Sequence, residues 1–155
     1  MKVCVIIPAY NEEASVSAVI RELKRLSLDV LLIDDGSADR TLSRAREAGA
    51  VVLRNEDNRG KGASLVKGFA YALDNGYDAV ITMDADGQHL TGDIPVLLDA
   101  AADPACALVV GNRMHEPRNM PLLRVFTNRF MSWLKGGSIV DRLIRNMTVS
   151  TVIAP

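Results

Sequence analysis

Val30-Leu-Leu-Ile-Asp-Asp-Gly-Ser-Ala-Asp39 sets four apolar residues in an unbroken row and closes them with an acidic, glycine-bearing turn. A strand with one wet face alternates apolar and polar side chains. A row without alternation belongs to a strand covered on both faces. The pattern recurs along the chain. Val3 to Ile7 is ended by Pro8, Val51 to Leu53 leads to Asn55, Ala79 to Met83 leads to Asp84, and Ala107 to Val110 leads to Gly111. Helix-length segments lie between these runs. In Glu12 to Leu26, Val16, Val19, Ile20, Leu23 and Leu26 recur at helical spacing, with Arg21, Glu22, Lys24 and Arg25 on the opposite face. Thr41 to Ala48 reads as a second helix, with Asp39 as N-cap and Gly49 as its stop. Lys61 to Asn75 reads as a third, burying Leu65, Phe69, Ala72 and Leu73 and ending before Gly76. Asp93 to Ala102 reads as a fourth. The strand starts, near residues 3, 30, 51, 79 and 107, are far enough apart for one crossover helix each. The expected fold class is therefore α/β, a mostly parallel sheet with right-handed crossovers and helices on both faces.

The composition agrees with one domain. The chain has 155 residues, 48% hydrophobic and 24% charged, which excludes disordered, collagen-like and repeat architectures. Its 18 basic and 19 acidic residues give a net charge of -1, so no nucleic-acid partner is expected. Cys4 and Cys106 form no disulfide framework and read as small buried apolar residues. No stretch reaches the roughly 20 apolar residues that span a bilayer. Val3 to Ile7 is too short for the apolar region of a signal peptide. The chain is expected to be soluble and cytoplasmic.

An open α/β sheet binds ligands beyond the carboxyl ends of its strands, so the residues just after each apolar run are the informative ones. Asp84, Asp86 and Gln88 stand at alternate positions, which in extended backbone puts all three on one side. Two carboxylates and an amide oxygen suit Mg²⁺ or Mn²⁺, with water and phosphate completing the coordination; His89 can add a nitrogen and favour Mn²⁺. The bland reading is a solvated turn. Asp34 and Asp35 are adjacent carboxylates that repel unless something binds them. Either one accepts from a base or ribose, or the turn is an Asx turn with Gly36 in left-handed conformation and Ser37 or Asp39 capping the next helix. Asn58-Arg-Gly-Lys-Gly62 lacks the spacing of a P-loop, yet Lys61 stands where it can meet a diphosphate at a helix N-terminus. The alternative there is a tight glycine turn. No Gly-x-Gly-x-x-Gly follows the first strand and no Gly-x-Ser-x-Gly is present, which disfavours a dinucleotide fold and a hydrolase nucleophile.

These turns, in this order, resemble glycosyltransferase family 2. The pieces that carry the resemblance are Val5 to Glu13, Ile33 to Asp39, Asn58 to Gly62, Met83 to His89 and Val110 to Arg113. Together they look most like the dolichyl-phosphate mannose and polyprenyl-phosphate glucose synthase branch, over residues 1 to 141. The resemblance implies a GT-A fold and an inverting transfer of a hexose from a nucleotide diphosphate sugar, of the GDP-mannose or UDP-glucose type, to a polyprenyl phosphate. It implies that Pro8, Tyr10 and Glu12 line the nucleotide pocket and that Ile33 and Asp35 sit against base and ribose. Asp84, Ala85, Asp86 and Gln88 would surround the metal and diphosphate, Asp86 and Arg113 would be catalytic, and Arg113 would meet sugar or phosphate charge. Arg124 matches a residue expected to contact the acceptor phosphate. A divalent cation, Mg or Mn, would neutralise the charge that builds on the departing diphosphate. A lipid phosphate is already ionised near neutral pH, so as a nucleophile it needs little help from a base. A hydroxyl acceptor would need one, and the sequence offers no clear candidate beyond Asp141 as one to consider.

Pro121 to Lys135 carries Leu123, Phe126, Phe130, Trp133 and Leu134 on one helical stripe with basic residues elsewhere. Such a helix either packs on the sheet or lies peripherally at the inner face of a membrane. After Asp141 the resemblance ends, and residues 142–155 read as a divergent tail shortened relative to that branch. In it the Val149 to Ile153 run is either a strand or an exposed apolar segment. Two other functions fit less of the sequence. A sugar-phosphate nucleotidyltransferase needs a glycine-rich basic loop after the first strand, where this chain has Pro8-Ala-Tyr-Asn-Glu-Glu13. A nucleotide-binding module without turnover would follow from the short C-terminus.

Overall fold

A computed structural model describes residues 1–87, 94–101, 108–110 and 148–151. The elements are β1 (Val3–Ala9), α1 (Val16–Arg25), β2 (Asp29–Asp34), α2 (Thr41–Glu47), β3 (Val51–Arg54), α3 (Lys61–Asp74), β4 (Ala79–Thr82), α4 (Ile94–Ala101), β5 (Leu108–Val110) and β6 (Thr148–Thr151). The six strands form one sheet in the order β3-β2-β1-β4-β6-β5, and every pairing is parallel. The α/β reading and its helices on both faces are what the structure has.

The unbroken apolar runs divide between two cores. Val5, Ile7, Val30, Leu32 and Ile81 face α1 and α2 together with Val16, Val19, Ile20, Leu23 and Ala45. Cys4, Ile6, Leu31, Ile33 and Val80 face α3 with Ala72, flanked by Leu65 and Phe69. Adjacent strand residues thus serve opposite faces, as the pleat requires. Burial pushes the Cys4 thiol up to about 11, so this cysteine is an apolar packing group without thiolate character. Cys106 lies outside the described residues.

Two boundaries and one buried helix face differ from the sequence reading. The first strand runs past Pro8 to Ala9. Met83 N–H donates to the Ile6 carbonyl at 3.0 Å, and the β4 pairing of β1 stops at Thr82. By strand alternation the missing Pro8 N–H also faces the β4 side, beyond the last bond there, so it breaks no ladder. The first helix begins at Val16 and not at Glu12, and residues 13–15 form a turn that leads into it. On α3 the fully buried residues are Ser64, Gly68 and Ala72, while Leu73 is exposed. Small side chains every fourth residue let this helix settle close on the sheet, and Leu65 and Phe69 pack at its flanks. The Val149 run is a strand, β6, placed between β4 and β5. The amphipathic stretch 121–135 lies outside the described residues.

The sheet order reverses at β1: β2 and β3 extend to one side and β4 to the other. In a sheet of this kind the crevice for a ligand opens at that switch, between the carboxyl ends of β1 and β4.

Candidate active site

The loops that rim this crevice are first of all tied to each other. Asn11, at φ +55°, donates its N–H to Ser37 Oγ and accepts the Ala38 N–H on Oδ1, both at 3.0 Å. Glu12 N–H donates to Thr41 Oγ1 at 2.8 Å, and Glu13 N–H to Asp39 Oδ2 at 3.1 Å. Glu13 Oε2 accepts from both the backbone N–H and the Nε of Arg40. The Arg40 N–H and guanidinium hold the Glu13 carboxyl below the ordinary glutamate range. The Glu12 carbonyl accepts the Ser15 and Val16 N–H groups at 3.2 and 3.0 Å, so residues 12–15 form the turn that leads into α1. Asp39 accepts the Thr41 N–H at 2.9 Å, but Arg40 occupies the N-cap position, one residue later than the sequence placed it.

The two adjacent carboxylates avoid repulsion by separate sets of protein donors. Asp34 is fully buried and accepts the Ser37 N–H on Oδ1 at 3.1 Å, one residue further on than the N–H an Asx turn would use. Arg54 Nε stands 3.4 Å from its Oδ2, within ion-pair distance yet without a hydrogen bond to that atom. Asp35 is also buried and points to the β3–α3 loop. Its Oδ1 accepts from Asn55 Nδ2 at 2.7 Å and from the Arg59 N–H at 3.0 Å, and its Oδ2 from the Gly60 N–H at 2.7 Å. Burial pushes the Asp35 carboxyl up, but these donors and the Ser64 hydroxyl together outweigh it and leave it below the usual aspartate value. Gly36, at φ +79°, lies against the same loop: a Cβ there would stand 2.9 Å from the Asp57 carbonyl carbon. Left-handed backbone and close approach both demand glycine.

Fixing Gly60 fixes the start of α3. Lys61, its first residue, reaches across to the turn after β4, where its Nζ stands 2.5 Å from Asp84 Oδ1. Asp84 is partly exposed and Asp86 exposed, followed by Gly87 at φ +73°. A carboxylate and a lysine from separate elements thus meet at the crevice, with the exposed Asp86 two residues further along the same turn. Carboxylate oxygens are the hard donors that Mg²⁺ and Mn²⁺ take, so Asp84 and Asp86 fit such a cation by their chemistry. Among the described residues no group of three or more His, Cys, Asp or Glu gathers as a metal site. A cation bound by Asp84 and Asp86 would take its other ligands from water and phosphate oxygens.

The other expected site residues are spread unevenly. Pro8 is half-buried, Tyr10 exposed at 48%, and the half-buried Glu12 accepts from Ser15 Oγ at 3.0 Å. Two placements limit which atoms can serve the expected contacts. Ile33 is wholly buried in the α3-side core, so its side chain has no surface to offer a base or ribose. The Ala85 methyl likewise packs into the α1-side core, which leaves only its backbone for the crevice. Gln88, His89, Arg113, Arg124 and Asp141 lie outside the described residues. Sequence reasoning gave no role to Asn55, Arg54 or Ser64. Asn55 carried a signal, as the polar residue that ends the third run; Arg54 and Ser64 carried none.

The family model for glycosyl transferase family 2 matches residues 4–151. The chain belongs to glycosyl transferase family 2. Its α/β sheet is the expected GT-A fold. Among curated relatives in this family, an undecaprenyl-phosphate mannosyltransferase of Micrococcus luteus is 33% identical, over 99% of this chain and 64% of its own length. A UDP-N-acetylglucosamine–dolichyl-phosphate N-acetylglucosaminyltransferase of Methanococcus voltae is 31% identical, over 87% of this chain and 63% of its own. A solved structure of glucosyl-3-phosphoglycerate synthase from Mycobacterium tuberculosis, in complex with Mn²⁺, UDP-glucose and phosphoglyceric acid, is also similar. Its TM-score is 0.61 at 27% identity, covering 76% of this chain and 45% of that one. The chain therefore spans less than two thirds of the length of each of these relatives. Among the described residues no helix is long and apolar enough to cross a membrane.

Proposed function

We propose that this chain carries the donor half of an inverting hexosyltransferase, taking a sugar from a GDP-mannose or UDP-glucose type donor to a polyprenyl phosphate, with Mg²⁺ or Mn²⁺ as cofactor. The observation that carries the reading is the pairing of Lys61 with Asp84 beside the β1–β4 switch point, two residues before the exposed Asp86. The names of the mannosyl- and N-acetylglucosaminyltransferase relatives support a lipid phosphate as acceptor. The Mn²⁺ and UDP-glucose of the mycobacterial synthase support the metal and the donor class.

In this reading Pro8, Tyr10 and Glu12 line the nucleotide side of the crevice. The exposed Tyr10 ring offers a face for a base to stack on. Asp35 positions the loop at 58–60 around the nucleotide as well as any contact it makes itself. Asp84, Asp86 and Gln88 hold the cation, and Lys61 neutralises diphosphate charge. Arg113 meets the sugar or phosphate, and Arg124 the acceptor phosphate. A bound divalent cation supplies Lewis-acid stabilisation of the leaving diphosphate, worth several kcal/mol in such reactions. The phosphate acceptor arrives ionised, so these residues need only orient it for attack on the anomeric carbon. We propose a cytoplasmic location, peripheral at the inner face of a membrane, where a lipid acceptor would be met.

Calorimetric titration of GDP and UDP with Mn²⁺ tests the reading. The parent should bind at least one of them in a Mn²⁺-dependent way, and Asp86→Ala should weaken that binding by about tenfold or more. Equal affinity of parent and variant would overturn the metal assignment.

A further inference from the structure

Lys61 and Asp84 come from different elements, β3–α3 and β4–α4, and meet directly at the crevice at 2.5 Å. The base of the lysine is fixed, because the preceding Gly60 N–H is held by the buried Asp35 at 2.7 Å. Its tip is not: the Lys61 side chain is 60% exposed on a flexible four-carbon stem. The Asp84 carboxylate is thus already neutralised by a cation that can leave without disturbing the helix. A bare divalent ion approaching Asp84 and Asp86 meets this ammonium and must displace it into water or bind beside it, and both disfavour the ion. A divalent ion carried by a nucleoside diphosphate brings phosphate oxygens with it. These accept the ammonium as it leaves the carboxylate, so its charge is transferred from one anion to another and never stranded.

We propose that Lys61 is the resident counter-cation of Asp84 in the ligand-free protein, and that it makes the divalent cation and the nucleoside diphosphate bind as a unit. It discriminates against metal alone and favours metal with nucleotide. The inference rests on the proposed cation at Asp84 and Asp86 and assigns Lys61 a second task beyond its contact with phosphate: setting the order of binding.

Mn²⁺ binding to the intact chain, read by the electron paramagnetic resonance of free Mn²⁺ with and without GDP or UDP, tests it in the parent, Lys61→Met and Lys61→Arg. Lys61→Met should bind Mn²⁺ alone about three- to fivefold more tightly, the factor gained by freeing a carboxylate from a surface ion pair. In the same variant the nucleotide should strengthen Mn²⁺ binding about tenfold less than in the parent, because a charge-assisted bond to phosphate is lost. Lys61→Arg, which keeps the charge, should stay near the parent on both measures. A lysine that merely held the turn in place would make Lys61→Met weaker for Mn²⁺ in both conditions. Unchanged or weaker binding of Mn²⁺ alone by Lys61→Met, in a parent that binds Mn²⁺ with nucleotide, overturns this inference and leaves the functional reading standing. A parent that binds no Mn²⁺ with either nucleotide overturns both.

Discussion

The Asp35 carboxylate is almost wholly out of water, yet donors from the β3–α3 loop and the start of α3 surround it: Asn55 Nδ2, the Arg59 and Gly60 N–H groups and the Ser64 hydroxyl. Its ionised form is the one this cage fits. Asp35→Asn keeps the shape but turns an amide toward a backbone N–H, leaving a buried donor without an acceptor. The variant should lose about 2 kcal/mol of stability at neutral pH, measured by urea unfolding. The sign of its acid dependence follows from the lowered carboxyl value. The unfolded chain takes up a proton at higher pH than the folded one. The stabilisation is therefore complete above the unfolded value and is lost as pH falls through the folded one. Between about pH 5 and pH 3 the parent should lose stability more steeply than Asp35→Asn. A parallel fall in both proteins would remove Asp35 from this role. The sequence marked the Asp-Asp-Gly-Ser turn as a site but left the partners of each carboxylate open. The donors to Asp35 lie 20, 24 and 25 residues away, and no local pattern names a partner at that distance.

At the scale of elements, hydrophobic rows and helical periods located the strands and helices well, because each is a local consequence of which faces are buried. The contact line of α3 was less legible. A periodicity reading gives large apolar residues the buried positions, and it chose Leu65, Phe69, Ala72 and Leu73. The nearest approach instead runs through Ser64, Gly68 and Ala72, where small size is the property selected. A Cβ on Gly68 would stand 2.6 Å from Ile6 Cγ2, an atom attached next to the backbone with little room to move. Gly68→Ala gains about 1 kcal/mol of helix propensity. Overpacking of a filled core costs about 1–3 kcal/mol. The net effect should be destabilising, seen as a lower urea midpoint with an unchanged slope. A stabilised variant would mean that α3 rides further from the sheet than the structure places it.

For the whole molecule, the order of strands could not be read from the chain. Pairing is non-local, and the sixth strand came from a run that the sequence left open between strand and exposed segment. β5 is joined to the rest of the sheet through β6, which alone among the described strands pairs with it. Deleting the residues from Thr148 onward should abolish amide protection at Leu108 to Val110, while β1 and β2, buried deep in the sheet, keep theirs. Hydrogen exchange read by mass spectrometry distinguishes the two. Retained protection at β5 would mean that another segment can take the place of β6. The same topology bears on synthesis. As the polypeptide leaves a ribosome, β1 to β4 can assemble while the flank of β4 that will receive β6 still has no partner. An open flank of parallel backbone is a template for any other extended chain. The interval before Thr148 emerges is therefore when a nascent copy is most exposed to pairing with its neighbours, and a chaperone acting on this protein would be needed then.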